Sequence, residues 1–251
     1  MAEHLDIDKA LRGWDYDSDE IAVRLVTADD GREVLQMRVE LGVLQLEVDH
    51  RPDGHRPDGF ETYFDHLLNE AVHEGDTFKL DETQCEEVER EFIQFYHRRL
   101  CWLALKEFTL AMRDADHTLA LMDFVRGHSP SEDWAMSHEQ YRPFILFHRT
   151  QAAALSKMDH DDPSEAIAEL NRGIESIRAV YNSWDADDRT EDDDMLARLK
   201  DLREKIRDEY QVGLTLKEQL ADAVAQEQYE RAARLRDEIA RKSAQPGAAS
   251  D

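Results

Sequence analysis

The stretch Leu216–Ile239, LKEQLADAVAQEQYERAARLRDEI, decides how the carboxyl end of this chain folds. Apolar residues recur at Leu216, Leu220, Ala223 and Val224, and again at Tyr229, Ala232, Ala233, Leu235 and Ile239. That is helical spacing in two blocks. The polar run Ala225-Gln226-Glu227-Gln228 separates them without glycine or proline. Each block is a few turns long, so the spacing predicts a tight antiparallel helical hairpin, opened by a cap at Thr215-Leu216-Lys217-Glu218. The small Ala232 and Ala233 are expected to sit where the two helices approach most closely. A unit of fewer than about 40 residues seldom holds itself together, so its apolar face needs a cover.

The run Tyr229-Glu230-Arg231-Ala232-Ala233-Arg234-Leu235-Arg236-Asp237-Glu238-Ile239 resembles the second half of the UvrB/UvrC motif, or UVR domain. That family's pattern is aromatic–Glu–basic–Ala–Ala–x–Leu–Arg–Asp–x–Ile. Leu216 through Ala225 is similar to the family's leading amphipathic helix, although Val224-Ala225-Gln226-Glu227 departs from the alanine-rich turn more often found there. The resemblance implies protein contact rather than chemistry. In the family the hairpin docks on a second such hairpin or on another protein; it occurs in the excision-repair subunits UvrB and UvrC, in Clp-type unfoldases and in the adaptor McsA. The contact residues that carry over are Leu216, Leu220, Val224, Tyr229, Ala232, Ala233, Leu235, Arg236 and Ile239. The implied partner is UvrB, UvrC, another UVR-domain protein or a second copy of this chain. The competing expectation makes these residues merely the core of a terminal bundle.

Composition bounds the rest. A chain of 251 residues suits one domain or two small ones. With 57 acidic against 31 basic residues and a net charge of -26, direct binding to nucleic acid is disfavoured, because phosphate contacts need clustered Lys and Arg. Proteins with basic patches are the favoured partners; the alternative is that the acidity serves solubility alone or reflects a saline setting. Met1-Ala2-Glu3-His4 is no signal peptide, and no apolar run approaches the roughly 20 residues that span a bilayer. Cys85 and Cys101 form no Cys-x-x-Cys pair, so a cytoplasmic location and no zinc site are expected.

The amino-terminal third alternates. Ile21, Val23 and Leu25 lead to the hairpin turn Asp29-Asp30-Gly31, and Leu35, Met37, Val39 and Leu41 share one face of a second strand. Past Gly42 the parity flips to Leu44, Leu46 and Val48, which reads as a bulge or bend. A sheet of about three strands buries little alone, so a helix over Phe60–Val72 is expected to lie on it. The tandem Arg51-Pro52-Asp53-Gly54 and Arg56-Pro57-Asp58-Gly59 is turn chemistry. Its two arginines, taken as exposed, either bind an anion or balance local acid.

From Thr83-Gln84-Cys85-Glu86, read as a capping box, one long helix is expected to reach about Arg126. A second follows a cap at Ser137-His138-Glu139-Gln140, and a third starts at Asp162-Pro163-Ser164-Glu165 and runs to near Trp184. Ala104-Phe108-Ala111 and Ala166-Leu170-Gly173 share a small–large–small spacing that resembles the second helix of a tetratricopeptide repeat. The repeat's early aromatic and glycine are missing, which favours an irregular helical-hairpin array. Met195, Leu199, Leu202, Ile206 and Tyr210 form a short coiled-coil-like seam.

The fold class expected is α+β, mainly α: a small antiparallel sheet (1–80), a helical array (81–184), an acidic linker (185–194), a helix plus hairpin (195–242) and a disordered tail (243–251). No GxxxxGK[ST] loop is present, and His138-Glu139-Gln140-Tyr141-Arg142 lacks the second histidine of a zinc-protease helix. Asp159-His160-Asp161-Asp162 reads better as a helix start than as a metal site. The reading is therefore a non-enzymatic adaptor with no cofactor or metal. Its rivals are an excision-repair accessory factor, and an enzyme with a polar pocket around Arg51, Arg56 and the histidines.

Overall fold

The computed structural model describes residues 7–184 and 193–243. Most of the acidic linker and the expected tail, 185–192 and 244–251, lie outside those residues.

After a single-turn helix α1 (Asp8–Leu11), strands β1 (Val23–Thr27), β2 (Glu33–Val39) and β3 (Gly42–Glu47) form an antiparallel sheet in the order β1-β2-β3. The Asp30-Gly31 turn is where the sequence puts it, with Gly31 at φ 89°. Val39 pairs with Gly42, so Glu40 and Leu41 are the two residues of a second hairpin turn. The parity flip is therefore a turn and not a bulge. Across it, odd-numbered Leu35 and Met37 pair with even-numbered Leu46 and Leu44. Leu41 stands at the tip, 91% exposed, rather than on the apolar face.

The expected helix forms as α2 (Tyr63–Glu74), but it does not cover the sheet. Its Tyr63 and Leu67 pack with Phe78 and Leu80 just ahead of α3 (Glu82–Ala104), with Val88 on that helix, and with Leu121 and Val125 on α4 (Phe108–His128). The sheet's apolar face, Leu35 and Leu46 with Val23 and Met37, is filled instead by Cys101, Trp102, Phe108 and Ala111. Glu91, buried on α3, decides the placement of α2. Its carboxylate accepts the Tyr63 and Phe64 N–H groups at 2.6 and 3.1 Å, capping α2 from outside. The cap of α3 lies at Asp81 and Gln84, which bond each other's N–H groups at 2.8 Å, rather than at Thr83.

The long helix expected from Thr83 to Arg126 is broken. At Leu105–Glu107 the Glu107 N–H reaches Trp102 O (2.9 Å) and the Lys106 N–H reaches Leu103 O (3.2 Å), with Lys106 at φ 61°. That bond pair is a Schellman stop, in which a left-handed residue ends the helix. Glycine usually fills that position, and Lys106 gives no such signal. Ala104-Phe108-Ala111 thus straddles a joint, and its repeat-like spacing does not lie on one helix.

Helix α5 (Glu132–Glu139) is capped by Ser131, and α6 (Arg142–Asp159) follows with Pro143 in its first turn. Ser137–Gln140 therefore closes a helix instead of capping one. A second Schellman joint at Asp161, φ 55°, leads into α7 (Pro163–Ser183). Here the sequence reading holds: Asp162 accepts the Glu165 N–H at 3.0 Å and Pro163 occupies the first turn. Gly173 is where α6 and α7 come closest, since a β-carbon there would overlap the Thr150 side chain.

Helix α8 (Asp194–Tyr210) is capped by Asp193 and puts Leu196, Leu199 and Ile206 into one core with Ile167, Leu170, Ile174 and Ile177. Its apolar row is thus spent on the array. Helices α9 (Leu216–Ala225) and α10 (Tyr229–Ser243) complete the described chain.

Candidate functional site: the carboxyl-terminal hairpin

Thr215 and Glu218 start α9 with a reciprocal capping box: Glu218 N–H to Thr215 Oγ1 at 3.3 Å, Thr215 N–H to Glu218 Oε2 at 2.8 Å. A third Schellman joint makes the reversal. Glu227 lies at φ 56°, Gln228 N–H reaches Ala223 O at 2.8 Å, and Glu227 N–H reaches Val224 O at 3.0 Å. The polar stretch without glycine is therefore a defined turn.

Between the helices, Ala223, Ala232 and Leu235 are buried together, with Leu216 and Leu220 packed against them. Every member of this cluster belongs to the hairpin itself. The close approach is made by Ala223 and Ala232; Ala233 faces solvent, contrary to the expectation that it marks the crossing. The reason is rotational: Ala232 and Leu235 are three apart and share the inner stripe, and Ala233 is turned about 100° from its neighbour. Val224 and Tyr229 are 53% and 70% exposed, Arg236 is exposed beside Asp237, and Ile239 is half-buried. Tyr210 and Leu214, just ahead of the hairpin, are also exposed.

What holds the hairpin to the array is polar. Glu218 Oε1 accepts from Arg207 Nη2 at 2.6 Å and lies 3.6 Å from Arg203 Nη1, both on α8. Burial pushes the Glu218 carboxyl up, but the Thr215 N–H and the Arg207 guanidinium outweigh it and hold the pKa below the ordinary glutamate value. Lys217 adds an exposed pair with Glu175 at 3.5 Å. The capping box was readable in sequence; the role of Arg203 and Arg207 was not, because a charged helix face ordinarily means solvent.

The tandem Arg-Pro-Asp-Gly residues are divided by the structure. Arg51 is 1% exposed rather than open to solvent: its Nη2 donates to Glu87 at 2.7 Å, and its Nε lies 3.2 Å from Asp53 Oδ1. It pins the turn to α3. Arg56 remains exposed. Arg51 lines two open hollows of about 480 and 550 Å³, one shared with Arg56, the other with His55 and His66. Alongside, Arg98 makes a bidentate pair with buried Asp114 (2.7 and 2.8 Å) and donates to the carbonyls of Glu47 and His50. These buried charges fasten the sheet to the helices. Sequence reasoning missed them because Arg, Asp and Glu are rarely found inside.

The fold and the hairpin together define a helical protein that ends in a small, self-contained two-helix module. Residues 214–245 match the UvrB/uvrC motif, which covers α9 and α10. No curated protein and no solved structure matches the chain. No helix among the described residues is long and apolar enough to cross a membrane.

Proposed function

We propose that the protein is a non-enzymatic adaptor whose carboxyl-terminal hairpin binds another protein. One observation carries the reading: the hairpin's core contains only its own residues, while Val224 and Tyr229 stay exposed on its surface. The UvrB/uvrC match supports the same reading, because that motif belongs to proteins that dock through it. Partner candidates are UvrB, UvrC, another UVR-domain protein or a second copy of this chain. The alternative is an accessory role in excision repair, with the hairpin docking to UvrB or UvrC. An enzyme using the hollows at Arg51 is the weaker reading, since Glu87 and Asp53 already balance that guanidinium through its Nη2 and Nε, leaving only Nη1 without a partner among the described residues.

Magnitude sets the affinity. Burying Val224 and Tyr229 contributes about 1.5–3 kcal/mol each, and association costs about 4–15 kcal/mol. The hairpin alone therefore binds weakly, and tight binding needs a second contact. The test is titration of the full chain, and of Tyr229→Glu, with purified UvrB and UvrC, alongside sedimentation for self-association. Binding or dimerisation that Tyr229→Glu abolishes supports the adaptor. Binding by the variant equal to the parent overturns the assignment of this surface, and monomeric behaviour with no binding to either protein removes the excision-repair role.

A further inference from the structure

Between α6 and α8 lies a groove of about 430 Å³, lined by Phe147, His148, Gln151, Arg198, Leu199, Asp201, Leu202 and Lys205. Behind it sits Arg99, 1% exposed, which differs from the other buried arginines. Arg51 has Glu87 and Asp53, and Arg98 has Asp114 in bidentate contact. Among the described residues Arg99 has only neutral acceptors: its Nε donates to His148 Nδ1 at 3.3 Å and its Nη1 to Thr118 Oγ1 at 3.2 Å. Burial pulls its pKa down to about 10, so it is still a cation at neutral pH. The carboxylate nearest in effect, Asp114, acts on Arg99 only through space and is itself held in bidentate contact by Arg98, so Arg99 has no ion pair of its own among the described residues.

Arg99 can only donate, so His148 Nδ1 must accept, and the imidazole proton sits on Nε2. Burial, with Arg99 adding to it, holds the His148 pKa down at about 3, so the ring is neutral. His148 is thus a hydrogen-bond donor polarised by the guanidinium behind it, on the wall of the groove. On the opposite wall, Arg198 and Lys205 are seven residues apart on α8 and share a face. Neither makes an ion pair among the described residues, whereas Arg203 and Arg207 on the same helix are both paired with glutamates. In a chain with 57 acidic and 31 basic residues, two free cations beside a third, buried one are a local reversal of charge. Asp201 is the sole acid of the lining, and Phe147, Leu199 and Leu202 supply an apolar floor.

We propose that this groove binds a small organic phosphate, its oxyanion held by Arg198, Lys205 and the His148 ring N–H, and its carbon skeleton lying on Phe147 and Leu202. A guanidinium fork and a mobile ammonium suit a multi-oxygen anion, and the volume suits a small molecule. The site is independent of the hairpin's docking surface.

The experiment is isothermal titration of the full chain with phenyl phosphate, inorganic phosphate and benzoate at constant ionic strength. Phenyl phosphate is expected to bind at least tenfold more tightly than benzoate. The double variant Arg198→Gln/Lys205→Gln, folded by circular dichroism, is expected to lose at least tenfold in affinity. Inorganic phosphate should bind more weakly than phenyl phosphate but through the same residues. Absence of binding at millimolar phenyl phosphate, equal affinity for benzoate, or undiminished binding by the double variant each overturns the proposal. The His148 ring signals in nuclear magnetic resonance, which should move on phenyl phosphate binding, provide a readout that survives if the double variant does not fold.

Discussion

Replacing Glu218 tests how the hairpin is held. Glu218→Gln keeps the capping geometry, because glutamine can reach back to the Thr215 N–H as glutamate does. What it removes is the charge opposite Arg207 at 2.6 Å and Arg203 at 3.6 Å. A charge-assisted hydrogen bond contributes about 1.5–3 kcal/mol when buried, but this pair is partly exposed, and Arg207 keeps Glu204 at 2.8 Å. The expected loss is therefore about 1 kcal/mol. Glu218→Ala also removes half the capping box, adding about 1 kcal/mol. Hydrogen exchange resolved by segment is the assay. Amides of α9 and α10 should exchange about 5-fold faster in the glutamine variant and about 30-fold faster in the alanine variant, with α6 and α7 unchanged. High salt should reproduce part of the glutamine effect. The carboxyl is held below its ordinary value of 4.5, so its contribution is present above about that pH and drains away as the pH falls through the lowered folded value. Unchanged exchange in α9 with the glutamine variant, or equal loss throughout the array, would refute the reasoning.

Three further outcomes are expected. Ala232→Glu should collapse the hairpin's cluster, whereas Ala233→Glu, on the solvent side, should leave helicity and exchange within error; equal damage from both would contradict the geometry. Gly173→Ala should lower stability by about 1–3 kcal/mol through overlap with Thr150, and Thr150→Ala should restore part of it, as denaturant midpoints of the double variant will show. Asp114→Asn strands the buried Arg98 charge and should cost about 3–5 kcal/mol, read as a fall in the chemical-denaturation midpoint; a change below 1 kcal/mol, the range of an exposed pair, would mean that Arg98 finds other compensation.

The parts of the fold legible in sequence were those written in residue types with a single conformational meaning. Asp30-Gly31 reads as a turn, Asp162-Pro163-Ser164-Glu165 as a helix start, and the alternation in β1 to β3 as a sheet. The hairpin was legible through its apolar spacing and its motif. The α3–α4 break was hidden because lysine carries no left-handed signal, and with it went the repeat-like reading of Ala104-Phe108-Ala111. The packing of α2 was hidden for another reason: a buried carboxylate, Glu91, positions it from the middle of a charged helix. Arg51 misled as well, since burial depends on partners 36 residues away that local pattern cannot reveal.

The contrast between an ionic tether and an oily core has a mechanical side. A pull on the carboxyl terminus meets the contacts of Glu218 with Arg207 and Arg203 before it reaches the sealed layer between α7 and α8. The hairpin therefore peels off first and at low force, swinging on the five-residue link 211–215 while the rest of the molecule keeps its shape. The partner proposed for the hairpin would then move within that arc without straining the body to which it is leashed.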